Sequence, residues 1–249
     1  MSKVDDAKKI AVAVSTLWDK YAEVIRDKKK SAEQRWQEII EGEHSYWLWD
    51  ALVQSFATNG GARHWDNVSF LKSHFVSRGY GDPFSWPAMI GYSEKERSDW
   101  LSVAANPHFQ RWESNRGWLV KFVAGYGAEG FLARTQDGFA TKTRDSCLAS
   151  LKAIDGVSEK YARNLMMDVG HPEFMDNSFA LDSRIANFLG ELTNRKHTYS
   201  AKSNEMWTER ELVSIAHGLA MTAWEMDRLL FWFGKEVLSA SRSEKRQLR

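Results

Sequence analysis

Between Arg144 and Val169, two apolar stripes at helical spacing are separated only by the turn Ile154–Ser158. Cys147, Leu148 and Leu151 mark one side of a helix predicted over Arg144–Ala153. Ala162, Leu165, Met166 and Val169, spaced i, i+3, i+4, i+7, mark a second over Lys160–Val169. Two apolar faces joined by so short a turn must pack on each other. Gly156 lets the backbone bend where a side chain would clash. The turn presents backbone N–H groups at a helix N-terminus, which with the helix dipole suit a phosphate. Lys142, Lys152 and Arg163 lie close in sequence and add positive charge. The same pattern also describes a helical hairpin that binds nothing.

The period is helical along most of the chain, and no run alternates as a strand would, so the fold class is all-α. Ile10, Val14, Leu17, Tyr21 and Val24 give an amphipathic first helix, and Arg26–Lys30 reads as a solvated break after it. Ser31 with Gln34, Ser93 with Glu96 and Thr208 with Glu211 have the spacing of capping boxes. Leu212, Ile215, Ala216 and Leu219 form a stripe after Thr208. Met226, Leu229, Leu230, Phe233 and Val237 form the stripe of a last helix, with a polar, basic tail from Ser239 expected to fray. Asn59–Gly61, Gly79–Pro87 and Gly170–Pro172 read as loops. His64, His74, His108 and His171 lack metal-ligand spacing and read as surface or loop histidines; no metal site is expected.

Among 249 residues, 34 Lys and Arg against 33 Asp and Glu give a net charge of +1, so any basic surface for nucleic acid must be local. The single cysteine, Cys147, excludes an intrachain disulfide, a Cys₄ zinc site and a four-cysteine iron–sulfur cluster, and fits a reducing cytosol. The N-terminus lacks the apolar run of a signal peptide, and no segment approaches the ~20 apolar residues that span a bilayer. A cytoplasmic protein without a membrane partner is expected. Twelve tryptophans are many for this length; core packing accounts for most, and base stacking in a pocket is the sharper use.

From about Arg116 to Leu189 the chain resembles the helix–hairpin–helix DNA glycosylases with a Gly/Pro-rich loop and a catalytic aspartate. Within them it is most similar to the lysine-bearing branch that includes 8-oxoguanine glycosylases. Ile154-Asp155-Gly156-Val157-Ser158-Glu159-Lys160 matches that family's hydrophobic-x-Gly-Val-Gly-x-Lys motif, and KYARNLMMDVGHP continues it to Pro172. Asp182, before Ser183-Arg184, matches the family's aspartate at the start of a helix. Two departures stand out. Ser158 replaces the second glycine, and the loop before Asp182 holds His171 and Pro172 but is not glycine-rich.

The resemblance implies one glycosylase unit over 1–249, built of two helical lobes with the active site in the cleft between them. The helix–hairpin–helix would span 144–169, and the loop and helix with the catalytic aspartate 170–190. It implies that Lys160 and Asp182 are catalytic. The protein would flip a modified base out of double-stranded DNA, excise it and nick the strand through a lysine Schiff base, acting as a monomer without a required cofactor. A monovalent cation at the hairpin is compatible with the family. A helix N-terminus and partial burial both disfavour a charged lysine, which suits a nucleophilic amine. On the helical wheel Lys160 shares a face with Arg163, Asn164 and Met167, opposite the packed stripe. Asp is also a favoured N-cap, and a cap can fix the Asp182 carboxylate while one oxygen faces a site.

DNA contacts are expected from Gly156, Ser158, Lys152 and Arg163, and from Gln54, Asn59 and Arg63 around the loop after the helix containing Tyr46–Ala57. Trp224, Asp227 and Phe231, with Trp232, are candidates for the base pocket, core packing being the alternative. The first substrate reading is an oxidised purine such as 8-oxoguanine. Hypermodified cytosine in phage DNA, removed in antiviral defence, is a second. A helix–hairpin–helix module that only binds DNA is a third, for which the pairing of Lys160 with Asp182 has no use.

Overall fold

A computed structural model describes residues 3–44, 46–57, 72–73, 75–77, 79, 81–82, 85–96, 143–194 and 207–247; side chains at 56–57 and 238–247 lie outside that description. Described secondary structure is helical throughout: α1 Lys3–Ile40, α2 Trp47–Ala57, α3 Trp86–Gly91, α4 Arg144–Lys152, α5 Glu159–Asp168, α6 Pro172–Asn177, α7 Ser183–Thr193, α8 Glu209–Gly218 and α9 Ala223–Gln247. The chain forms two compact units, residues 1–36 with 166–249, and residues 37–165. The boundaries fall inside α1 and α5. No described helix is long and apolar enough to cross a membrane.

Helix α1 runs unbroken through Arg26–Lys30, contrary to the break read there. The stretch contains no Gly or Pro, and its buried face continues as Ile25, Ala32, Trp36 and Ile39 on either side. Lys29 turns toward the same side and pairs with Glu225 at 3.3 Å. Ser31 does not open a new helix; its Oγ donates to the Asp27 carbonyl at 3.1 Å, inside α1. The expected loop over Gly79–Pro87 ends at Ser85, which caps α3 while Pro87 fills the first turn. At the other end of the chain, α9 stays helical to Gln247 instead of fraying from Ser239, because after Gly234 no residue breaks the helix.

In the unit that contains both termini, α9 is the central element, packed against α6, α7 and α8. Its first half is buried on every side, from Ala223 to Leu230. Ile185, Phe188 and Leu189 supply the α7 face. Gly234 lets the helices approach, since a Cβ there would lie 3.2 Å from the Phe188 ring. Two of the three capping boxes read from the sequence have their reciprocal bonds, Ser93 with Glu96 and Thr208 with Glu211. A further one, Thr222 with Glu225, opens α9 and has the same sequence spacing. In the other unit, Trp47, Trp49, Leu52 and Trp86 are buried, with Trp49 and Trp86 edge to face at 5.4 Å.

His171 is buried at 4% exposure, not at the surface. Its ring lies 4.6 Å from Trp36 and 5.3 Å from Phe174. The preceding residue explains this placement. Gly170 has φ +78, and a Cβ there would stand 2.1 Å from the Ala32 carbonyl oxygen. The backbone after α5 therefore lies directly on α1, which only glycine permits. Gly170→Ala is expected to destabilise the protein by about 2 kcal/mol or more through this clash and the positive φ. Chemical denaturation would read the loss as a lower midpoint at unchanged slope.

Candidate functional site: an aspartate cap and a helical hairpin

Asp182 stands at the end of a tightly held loop. Ser178 and Phe179 have no exposure and Ala180 only 4%. Their amides need partners in the core. Phe179 N–H donates to Glu209 Oε1 of α8 at 3.0 Å, and Ala180 N–H donates to Asp227 Oδ1 of α9 at 2.8 Å. Asp182 then caps α7: its Oδ1 accepts from the N–H groups of Arg184 at 2.8 Å and Ile185 at 2.9 Å. One oxygen thus makes the whole cap, and Oδ2 takes no part in it. The carboxylate is half-buried. This arrangement fixes the side chain and leaves its second oxygen for other work.

The residues around the loop place the pocket candidates. Trp224 is buried at 3%, and its Nε1 donates to the Met167 carbonyl at 3.0 Å, so its polar edge is committed to the end of α5. Phe231 is half-buried, with the Arg184 guanidinium 4.4 Å from its ring centre. Trp232 is 39% exposed, with Lys28 Nζ 4.6 Å from its ring.

Asp227 is fully buried, accepting from Ala180 through Oδ1 and from Arg228 Nη1 through Oδ2 at 3.2 Å. Arg228 also reaches Asp168 Oδ1 at 2.6 Å. Burial pushes the Asp227 carboxyl up to about 7; the nearby charges of Asp182 and Asp168 push the same way, while Arg228 and the Ala180 N–H oppose them. Glu209 and Arg228 did not stand out in the sequence. Each is one charged residue on an amphipathic helix, and nothing in its spacing shows which loop it faces.

The hairpin belongs to the other unit up to Leu165. Helices α4 and α5 match the predicted spans, and Cys147, Leu148, Leu151, Ile154, Val157, Ala162 and Leu165 are buried. Gly156 has φ +85, the left-handed conformation that the turn requires. Ser158 caps α5: its Oγ accepts from Tyr161 N–H at 3.4 Å. One amide expected to face a phosphate is therefore already engaged.

Lys160 lies in the first turn of α5, half-buried, with Nζ 5.5 Å from the Tyr161 ring centre. Its expected outer face is only partly open: Arg163 and Asn164 are half-buried, and Met167 is fully buried rather than outward. At that end of the helix the Met167 carbonyl accepts from Trp224 of α9. Glu159 pairs with Lys152 at 2.9 Å and also with Arg163. The Lys152 hydrogen bond holds the Glu159 carboxyl below the usual range. Both basic residues assigned to DNA thus share their charge with one glutamate.

Gln54 hydrogen-bonds Asp50, whose carboxyl is raised mainly by burial. Asn59, Arg63, His64, His74, His108 and Lys142 lie outside the described residues. Among the described residues, no group of three or more His, Cys, Asp or Glu could hold a metal ion.

A helical hairpin with a first-turn lysine and a capping aspartate after a buried loop can be compared with known proteins. Overlaid on solved structures, the chain matches 8-oxoguanine DNA glycosylase from Methanocaldococcus jannaschii with a TM-score of 0.56. The chain has a DNA glycosylase fold. The match covers 88% of this chain and 92% of that one at 12% identity, so it extends well beyond the hairpin segment. No protein-family model and no curated protein matches the sequence.

The raised carboxyl of Asp227 predicts a definite pH dependence of stability. Between its ordinary value of 3.8 and its folded value of about 7, the folded state holds a proton that the unfolded state has lost. This group's contribution is therefore full below about pH 4 and disappears as pH rises through 7. Asp227→Asn cannot ionise. The melting temperature of the native protein relative to this variant should fall from pH 4 to about pH 7 and level off above it. A constant difference across that range would contradict the assignment.

Proposed function

We propose that this chain is a DNA glycosylase that excises a modified base and cleaves the strand through a lysine. The observation that carries this reading is the glycosylase fold extending over 88% of the chain. The first-turn position of Lys160 and the one-oxygen cap of Asp182 support giving these two residues the reacting roles that the sequence resemblance implies.

A base inside a duplex is out of reach, so the nucleotide is flipped out of the stack. The Asp182 carboxylate stabilises the positive charge that develops on the sugar as the glycosidic bond breaks. Its cap bonds to Arg184 and Ile185 hold it still while Oδ2 remains for this role. Lys160 attacks the anomeric carbon through its amine lone pair and the base departs with the bonding pair. Loss of a proton from the amine and ring opening give a Schiff base between Lys160 and the sugar. β-Elimination then breaks the 3′ phosphate ester. The helical neighbour is named for 8-oxoguanine, and an oxidised purine is the first substrate to test.

Borohydride trapping on duplexes carrying 8-oxoguanine, and on duplexes carrying modified cytosines, tests the reading. A covalent adduct is expected with the native protein and none with Lys160→Ala. Asp182→Asn should slow base release roughly 100-fold or more. Base release without an adduct would leave a glycosylase that does not use Lys160 as its nucleophile. No release from any modified duplex would favour a module that only binds.

The Glu159 pairs make a further prediction. Glu159→Gln frees the charges of Lys152 and Arg163, so duplex affinity at low salt should rise roughly threefold to tenfold with a steeper salt dependence. Fluorescence anisotropy over a salt series would measure both. Unchanged affinity and slope would place these two residues away from the phosphates.

A further inference from the structure

We propose that Asp227, held by Arg228, is a positioning residue that sets the Asp182 carboxylate through the backbone of Ala180, rather than a reader of the base. The inference rests on the glycosylase reading and adds to it a residue that acts through another.

Four observations in one unit carry it. Asp227 has no exposure, and both of its oxygens are already engaged, Oδ1 by Ala180 N–H at 2.8 Å and Oδ2 by Arg228 at 3.2 Å. A carboxylate so placed has little left to offer a base edge. The residue it holds is two positions before Asp182, in a buried loop, so the restraint acts directly on the backbone that aims the cap. Arg228 is itself 6% exposed and ties Asp227 to Asp168 at 2.6 Å, at the end of the helix whose first turn carries Lys160. Finally, Glu209 holds the neighbouring Phe179 amide from a different helix, so two carboxylates fix successive peptides of the loop.

The physical logic is that a reacting carboxylate must be held within a fraction of an ångström, and a misplacement of about 1 Å costs on the order of 100-fold in rate. Removing a buried acceptor leaves the Ala180 N–H without a partner in the core and releases that restraint. Asparagine retains an oxygen that can accept from Ala180, whereas alanine does not. The charged groups facing Asp227 are Arg228 on α9, Asp182 at the start of α7 and Asp168 at the end of α5.

Base release by the native protein is measured first, and its absence would overturn the glycosylase reading itself. Given release, single-turnover rates and duplex affinities are compared for Asp227→Ala and Asp227→Asn. Alanine should slow release at least tenfold on every substrate, with DNA affinity within twofold of native, and asparagine should recover the rate to within about threefold. A native rate in the alanine variant would overturn the proposal. So would a change in preference between bases in both variants, which would make Asp227 a base contact.

A second measurement needs no activity and no alanine variant. The Ala180 amide proton of the native protein, followed by NMR, should titrate with a midpoint near 7 and lose that titration in Asp227→Asn. An Ala180 amide that does not titrate in the native protein would break the link on which the proposal depends.

Discussion

A carboxylate removed from water has to be surrounded by donors, and in this protein Asp227 draws them from two directions. Ala180 donates from the loop before α7 and Arg228 from the next position on α9, and Arg228 reaches on to Asp168. The cost of burying the charge is visible in the carboxyl, raised to about 7. That cost is met by fixing the end of α5, the first half of α9 and the loop leading to Asp182 in one arrangement. The aspartate cap is then the last step of a chain of contacts that begins in the core, which is why a half-exposed residue can hold a defined orientation.

The same unit relies on a second constraint with no charge in it. Gly170 lays the backbone after α5 against the Ala32 carbonyl of α1, and His171 is carried into the space between Trp36 and Phe174. The long, unbroken α1 provides that surface. Its middle looks solvated in one dimension, because every residue of Arg26–Lys30 is charged. In the fold, Arg26, Asp27, Lys28 and Lys30 occupy the outer side and Lys29 is paired with Glu225, while Ile25, Ala32 and Trp36 keep one face apolar.

The hairpin is built by different means, and its chemistry is more restrained than its sequence suggests. Ser158 closes one of the helix amides with its own hydroxyl. Glu159 draws together Lys152 and Arg163, two residues that would otherwise present charge to a phosphate. A turn with fewer open amides and paired cations grips a backbone less strongly by itself. This agrees with a net charge of only +1.

The sequence by itself determined the all-α class, the span of the hairpin, the glycine at the turn, the caps at Ser93, Thr208 and Asp182, and the apolar faces of α4, α5 and α9. These are local properties: a helical period, a cap and a positive φ are decided within a few residues. The first-turn position of Lys160 and the cap made by Asp182 were legible because helix starts and caps are local as well. Tertiary structure decided what lies around them. Asp227 is 47 positions from Ala180, and no periodicity announces that a charged residue on a mostly apolar stripe will receive that amide. The burial of His171 and Met167, the continuity of α1 and the role of Glu209 are likewise set by which segments meet. Contacts between distant segments depend on the packing of whole helices, and a single sequence records the faces of those helices without recording which partner each face will meet.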